Sequence, residues 1–507
     1  MDQKSDTFFL IIISSKTTIR RKTMSLNLLS VYSHKESKRN ELKKQSKSCL
    51  SAQFLGKTAR EVGFIKRQFS LKIVKFFESL LCSIGTGGNT KITVQKLFSD
   101  YNQRVKKSER LQYKPFHNRM RQNELVALLV STYKHLQSKV LRLVLKRDFV
   151  ELLDSLNQNG LEIDDIYLHD GSYWKIKDCF YELFKGTRNA LKPTPVEGTI
   201  DENGEPAEDE PKYAEVGIQS TYSCKHGAIC ECNVSAGVDD ERNYVYKTVS
   251  DNVLHILDAG YVSFDLFGEI DSKCGYFICK LRVNSAGCIK SCKLGKEDLT
   301  ADFAGKKLSH KMVREFKRAE LLDMTVEFNG KEYRVIRIYS KKHQKSQFLI
   351  TNIRNSRITA KAIKMLYKIR WQIELEFKNL KSCDKLRGAT TGVLNIMLSM
   401  LLLSLIVNLI QVLYTFVLQI KSKAKLSLYR ISYYAGESFK KFVKALIYCS
   451  FKKFEVSLKS ILEFTKPYER VKQSVQKELE FKTLESTISA IKIELDKSRV
   501  ESIDFGF

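Results

Sequence analysis

Apolar positions along the chain fall into three regimes. Between Thr93 and about Asp154 they recur at helical spacing, as in VQKLFSDYNQRV and NELVALLVSTYKHLQSKVLRLVL. From Asp165 the spacing shortens to that of strands. DIYLHDGSYWKIKD alternates, and GAICECNVSAG, VLHILDAG and GYFICKLRV read the same way. VEFNGKEYRVIRIY has the form of a hairpin turning at Asn329-Gly330, and FLITNI is one more short strand. Helical spacing returns at Ala360 and runs through a long apolar stretch, VLNIMLSMLLLSLIVNLIQVLYTFV, into Lys-rich amphipathic segments. Strands interrupted and followed by helices predict an α/β core with helical regions appended.

Between these regimes lie segments without a period. Residues 1–60 are basic, Ser-rich and weakly patterned, so residues 1–90 are expected to form a poorly ordered arm. FFLIIIS, from Phe8, is too short and too acid-flanked (Asp2, Asp6) for a secretory signal, and Met24 opens a better-patterned segment as a second candidate start. PTPVEGTIDENGEPAEDEPKYAE holds four of the six prolines and a run of acids, which predicts an exposed loop. The apolar stretch near Val393–Val417 is long enough to cross a bilayer. Asn395, Ser399, Ser404, Asn408 and Gln411 interrupt it, which favours a buried helix and no membrane.

Composition adds a partner class. Lys and Arg exceed Asp and Glu to give a net charge of +29 over 507 residues, a surplus suited to a polyanion. Arg104, Lys106, Lys107, Arg110, Arg119 and Arg121 concentrate it in residues 91–155, a helical region that reads equally as a DNA-binding module or as a cap on the next domain. The 12 cysteines show no paired spacing; Cys224, Cys230, Cys232 and His226 match no zinc arrangement, and free thiols fit a reducing cytosol.

The segment LYKIRWQIELEFKNLKS, from Leu366, carries the sharpest chemistry. At 100° per residue, with Tyr367 at zero, Arg370 falls near about −60°, Glu374 near −20°, Lys378 near +20° and Lys381 near −40°. Glu376 falls on the far side, and Leu366, Ile369, Ile373, Phe377 and Leu380 form a core-facing flank. The spacing Tyr-x2-Arg-x3-Glu-x6-Lys resembles the Tyr-Arg-Glu-Lys signature of a large family of bacterial insertion-sequence transposases (the IS-four family), whose catalytic domain is a DDE, RNase H-like fold. Two further acids sit where that resemblance needs them. Asp170 ends IYLHD before Gly-Ser; Asp258 ends VLHILD and opens DAGYVSFDLF, with Ala259 where the family often has Arg. Asp251 and Asp265 compete with Asp258, while His169 and His255 point away from the acids by alternation.

The resemblance implies an α/β, RNase H-like core over residues 156–415, with a β-rich insertion at about 283–350 before the last catalytic helix. Helical regions at 91–155 and 416–507 flank it. It implies catalysis and metal binding by Asp170, Asp258 and Glu374, with two Mg2+ or Mn2+ ions, hard cations suited to carboxylate oxygens. Tyr367, Arg370 and Lys381 would contact DNA phosphates. The implied function is DNA cleavage and strand transfer at terminal inverted repeats into target DNA, by a homodimer on DNA in a bacterial cytoplasm, near the nucleoid. A nuclease or resolvase without strand transfer, and an inactive DNA-binding remnant, stay open. Some relatives hold a flipped base against a Trp of the insertion. Here the only tryptophans, Trp174 and Trp371, lie outside it, leaving Tyr333 or Tyr339 as stand-ins.

Overall fold

The computed structural model describes residues 49–66, 71–85, 92–186, 194–200, 206–209, 213–282, 287–308, 321–340, 345–374, 391–422, 428, 431, 436–450 and 475–503. Helices α1 (Ala52–Glu61), α2 (Ile73–Gly85), α3 (Val94–Arg104), α4 (Tyr113–Met120), α5 (Asn123–Leu143) and α6 (Arg147–Gln158) precede the first strand. The strands are β1 (Asp165–Lys175), β2 (Thr194–Ile200), β3 (Pro206–Asp209), β4 (Glu215–Ser223), β5 (Ala228–Ala236), β6 (Val253–Leu257), β7 (Tyr276–Leu281), β8 (Cys288–Leu294), β9 (Glu297–Asp298), β10 (Leu321–Phe328), β11 (Lys331–Ser340) and β12 (Lys345–Thr351). Helix α7 (Phe264–Ser272) connects β6 to β7. Helices α8 (Ala360–Lys368), α9 (Leu394–Ser422), α10 (Gly436–Tyr448) and α11 (Val475–Ile503) follow the sheet.

Ten strands form one sheet in the order β5-β4-β1-β6-β7-β12-β11-β10-β8-β9. Its first half has an antiparallel run, β1 with β4 and β4 with β5, then β6 and β7 parallel to β1. This mixed order is that of an RNase H-like core. Parallel strands covered on both faces read as continuous apolar runs, and all five residues of β6 are buried. The β-rich segment does not stand apart. Strand β12 pairs antiparallel with β7, so the insertion prolongs the catalytic sheet. At its hairpin, Asn329 and Gly330 both take positive φ (50° and 77°), as a two-residue turn between twisted strands requires.

Alternation sends successive residues to two separate cores. Ile166, Leu168, Leu254, Ile256 and Ile278 face one core with Leu366, Ile369, Ile373 and helix α9. Leu257, Phe277, Cys279, Phe348 and Ile350 face the other, with Leu266, Phe267 and Ile270 of α7. Helix α9 runs through the first core against α5 and α2. It has the length and apolarity of a membrane span, yet its apolar stretch is wholly buried inside the protein. Ser399, Ser404, Asn408, Gln411 and Thr415 are buried too, and Ser404 and Thr415 satisfy their hydroxyls on backbone carbonyls of their own helix.

Two local outcomes differ from the sequence reading. Within the stretch read as an arm, α1 and α2 are ordered helices, and Phe76, Phe77, Leu80 and Leu81 of α2 are buried. IVKFFESLLCSIG carries a one-sided apolar stripe of Ile73, Phe76, Phe77, Leu80, Leu81 and Ile84, and the helix packs against α10 and α9. The proline- and acid-rich segment, read as loop, forms a two-stranded ladder in which Thr194 opposes Asp209.

Candidate active site

The acids come together because two parallel strands diverge. Strand β1 stays paired with β4 as far as Lys175, but pairs with β6 only up to Leu168 opposite Ile256. Asp170 and Asp258 each lie two residues beyond that last pair. They therefore sit at the same level on neighbouring strands, on the face shared by Leu168 and Ile256. Asp170 does not end its strand, which runs on to Lys175. Asp258 caps a short helical turn, Ala259–Tyr261, by accepting from the Ala259 amide at 2.7 Å. The competitors lie elsewhere: Asp251 precedes β6 at its opposite end, Asp265 belongs to the first turn of α7, and both are exposed.

The third acid arrives from the helix that follows the sheet. Thr359 caps α8 through the Ala362 amide. Beyond Lys368 the backbone tightens into i→i+3 bonds, from Ile369 to Leu366 and from Arg370 to Tyr367. Such a turn brings residues three apart nearly into line, so Tyr367 and Arg370 share a side. The Tyr367 hydroxyl donates to Asp258 Oδ1 at 3.4 Å. Arg370 Nη2 donates to Glu374 Oε1 in a partly buried ion pair. Leu366, Ile369 and Ile373 are fully buried on the opposite flank. Glu376, Lys378 and Lys381 lie outside the described residues.

Burial first, and then the charges of Glu241 and Glu374, push the Asp170 carboxyl up to about 6; Arg370 and the Gly171 amide pull the other way. Burial, then Asp258, raises the Tyr367 hydroxyl, so it remains a donor. Burial opposes the Arg370 charge, but Glu374, Asp258 and Tyr367 outweigh it and hold the guanidinium ionised.

The donors are carboxylate oxygens, the set a hard divalent cation takes. Among the described residues no three such groups stand close enough to hold one ion together. The group standing among them is the Arg370 guanidinium. Cys224, Cys230 and Cys232 are free thiols, and burial raises each of them.

The opposite face of β1 holds residues that spacing did not reveal. The Tyr173 hydroxyl donates to Glu241 Oε1 at 2.6 Å and accepts from Gln219 Nε2 at 2.8 Å. A Cβ on Gly171 would lie 2.6 Å from Glu241 Oε1 and 2.7 Å from Gln219 Oε1, so a larger residue there would displace the Glu241 and Gln219 side chains. Tyr261, three residues after Asp258, also hydrogen-bonds Glu241. Its place in DAGY was the one available signal. On the same face the buried His169 and His255 rings stack and share a 2.9 Å hydrogen bond; burial pushes His255 down to about 3 and His169 well below its ordinary value. The proposed stand-in Tyr333 is buried among Phe264, Phe267, Phe277 and Phe328 and cannot meet a flipped base. Tyr339 lies under Arg337. Trp371, beside Arg370, is 42% exposed.

Residues 194–409 match the family model described as a transposase DDE domain. The match includes Asp258, Tyr367, Arg370 and Glu374 and begins after Asp170. No curated protein matches the chain. Among solved structures, the chain is similar to a piggyBac transposase in a synaptic complex with hairpin DNA, at 13% identity over 83% of each chain, with a TM-score of 0.38.

Proposed function

We propose that the chain is a DNA transposase that cuts at the ends of its element and joins the freed 3′ ends to target DNA. One observation carries the reading: Asp170 and Asp258 each lie two residues beyond the last β1–β6 pair, and the segment that carries Tyr367, Arg370 and Glu374 reaches Asp258 through Tyr367, in a chain whose residues 194–409 match a transposase DDE domain. Within that class, the Tyr-x2-Arg-x3-Glu-x6-Lys spacing favours the bacterial insertion-sequence group.

Asp170, Asp258 and Glu374 would hold divalent cations, magnesium or manganese, which activate an attacking oxygen and stabilise a leaving one. The chain's own groups supply the rest. Arg370 offers a planar fork to a phosphate, Tyr367 a hydroxyl beside Asp258, and Lys381 a point charge. The buried Leu366, Ile369 and Ile373 fix the segment so that Tyr367 meets Asp258 and Arg370 meets Glu374. Two ends must be processed together, which makes a homodimer on DNA the working unit. The buried α9 and the cationic surface suit a protein of the cytoplasm that acts at the nucleoid.

The test uses the inverted repeats flanking the gene. Pre-cut end DNA, incubated with the protein, target DNA and Mg2+, should give joined products. Cleavage without joining would reduce the protein to a nuclease or resolvase. Glu374→Gln should abolish cleavage and joining and leave end binding in place; surviving cleavage would refute the site assignment.

A further inference from the structure

One guanidinium stands among three carboxylates. Arg370 pairs with Glu374, with the two side chains only 17% and 28% exposed, and its charge also acts on Asp258 and Asp170. An i,i+4 pair on an open helix face is worth only about a few tenths of a kcal/mol. This pair differs in two ways. It is partly shielded from water, which strengthens its attraction, and the Arg370 charge acts on Asp170 and Asp258 as well as on its helical neighbour. The cation acting on Asp170 is Arg370, against the negative charges of Glu241 and Glu374.

The same fork is the group best suited to grip a phosphate. It cannot serve a phosphate and Glu374 with the same N–H groups. While Arg370 Nη2 is on Glu374 Oε1, that oxygen is engaged and a positive charge lies where a divalent cation would have to come. A phosphate offers the guanidinium a second anionic partner within reach of the same helix face.

We infer that Arg370 is an internal counter-ion that DNA must draw away before the carboxylates accept a divalent cation, so that DNA binding and cation binding are coupled. This rests on the reading of Asp170, Asp258 and Glu374 as a DDE centre. The free protein then keeps its acids neutralised by its own arginine, and cutting waits for DNA. Coupling of this kind is reciprocal: DNA raises cation affinity by the factor by which the cation raises DNA affinity.

The full-length protein tests it without any reading of activity. Mn2+ binding is followed without DNA by loss of the free Mn2+ resonance, for the wild type, Asp170→Asn, Arg370→Gln and Arg370→Met, with each variant's melting temperature recorded. Both Arg370 variants should bind Mn2+ about tenfold more tightly than the wild type, within the usual range of coupling, and Asp170→Asn should weaken binding. A second arm needs no variant. The wild type should hold a fluorescein-labelled duplex about fivefold or more tightly in Ca2+ than in EDTA at matched ionic strength, and Arg370→Gln should lose that difference. Equal or weaker Mn2+ binding by folded Arg370 variants overturns the counter-ion role, as does a wild-type duplex affinity indifferent to Ca2+. If instead wild-type Mn2+ binding does not depend on Asp170, the DDE reading itself falls.

Discussion

Asp170 stands under opposing pressures that a single substitution can separate. Its folded carboxyl titrates at about 6, against an ordinary value of 3.8, because burial and neighbouring carboxylates disfavour its charge. A carboxyl raised on folding stabilises the fold when protonated. That contribution is fully present below about pH 4 and is lost as pH rises through 6. Asp170→Asn should therefore melt like the wild type near pH 4. In EDTA above pH 7 it should be more stable by about 1–2 kcal/mol, after allowing for solvent screening. Equal stability at both pH values would remove the electrostatic account. Asp170 and Asp258 were named from the family resemblance of their motifs, and Tyr367, Arg370 and Glu374 from a signature spacing; Tyr367 reaches Asp258, and Arg370 pairs with Glu374. The helical group was legible because helix turns repeat at a fixed interval. Glu241 was not. Its contact with Tyr173 spans 68 residues and leaves no periodic trace.

At the scale of elements, helix α8 is held at its N-terminal end from two directions. Arg334 of β11 grips Asp323 with a bidentate pair and donates from Nη1 to the carbonyls of Ile353, Asn355 and Ile358, in the loop that delivers α8. From the other direction, Glu494 of α11 accepts from the capping Thr359 and from Lys361, while Lys492 of the same helix pairs with Glu151 of α6. The insertion strands and the C-terminal helix thus both brace the segment that carries Tyr367 and Arg370. Arg334 is only 12% exposed, so Arg334→Met would strand Asp323 and three carbonyls. It should cost about 1–3 kcal/mol in chemical denaturation, the range for leaving hydrogen-bonding groups without their partner. Amide exchange should accelerate first over residues 353–368; uniform acceleration along the chain would mean that Arg334 does not act on this loop. The hairpin at Asn329-Gly330 was legible from its turn residues. The pairing of β12 with β7 was not, since nothing in a strand's own sequence names its neighbour.

For the whole molecule, charge and hydrophobicity pull toward different partners, and the fold separates them. The most apolar helix, α9, lies within the larger core, and its apolar stretch is buried inside the protein. The cationic surplus of +29 remains for a polyanion. In the helical region before the sheet, the exposed Lys106, Lys107 and Lys114 and the part-exposed Arg119 lie around α3 and α4. If this charge meets DNA phosphates, binding must release condensed counterions. The logarithm of affinity for a duplex should then fall linearly with the logarithm of salt concentration. With about six or more phosphates neutralised, the slope should be near −5 or steeper, a loss of about a thousandfold between 50 and 200 mM salt. Fluorescence anisotropy on an unrelated duplex suffices, because this part of the affinity ignores sequence. Charge-removing substitutions at Lys106, Lys107 and Lys114 should each weaken binding about equally on any duplex and lower the slope by about one unit or less. A shallow slope in the wild type would show the surplus to be a solvated surface. An unchanged slope in the variants would move the DNA-binding face away from α3 and α4.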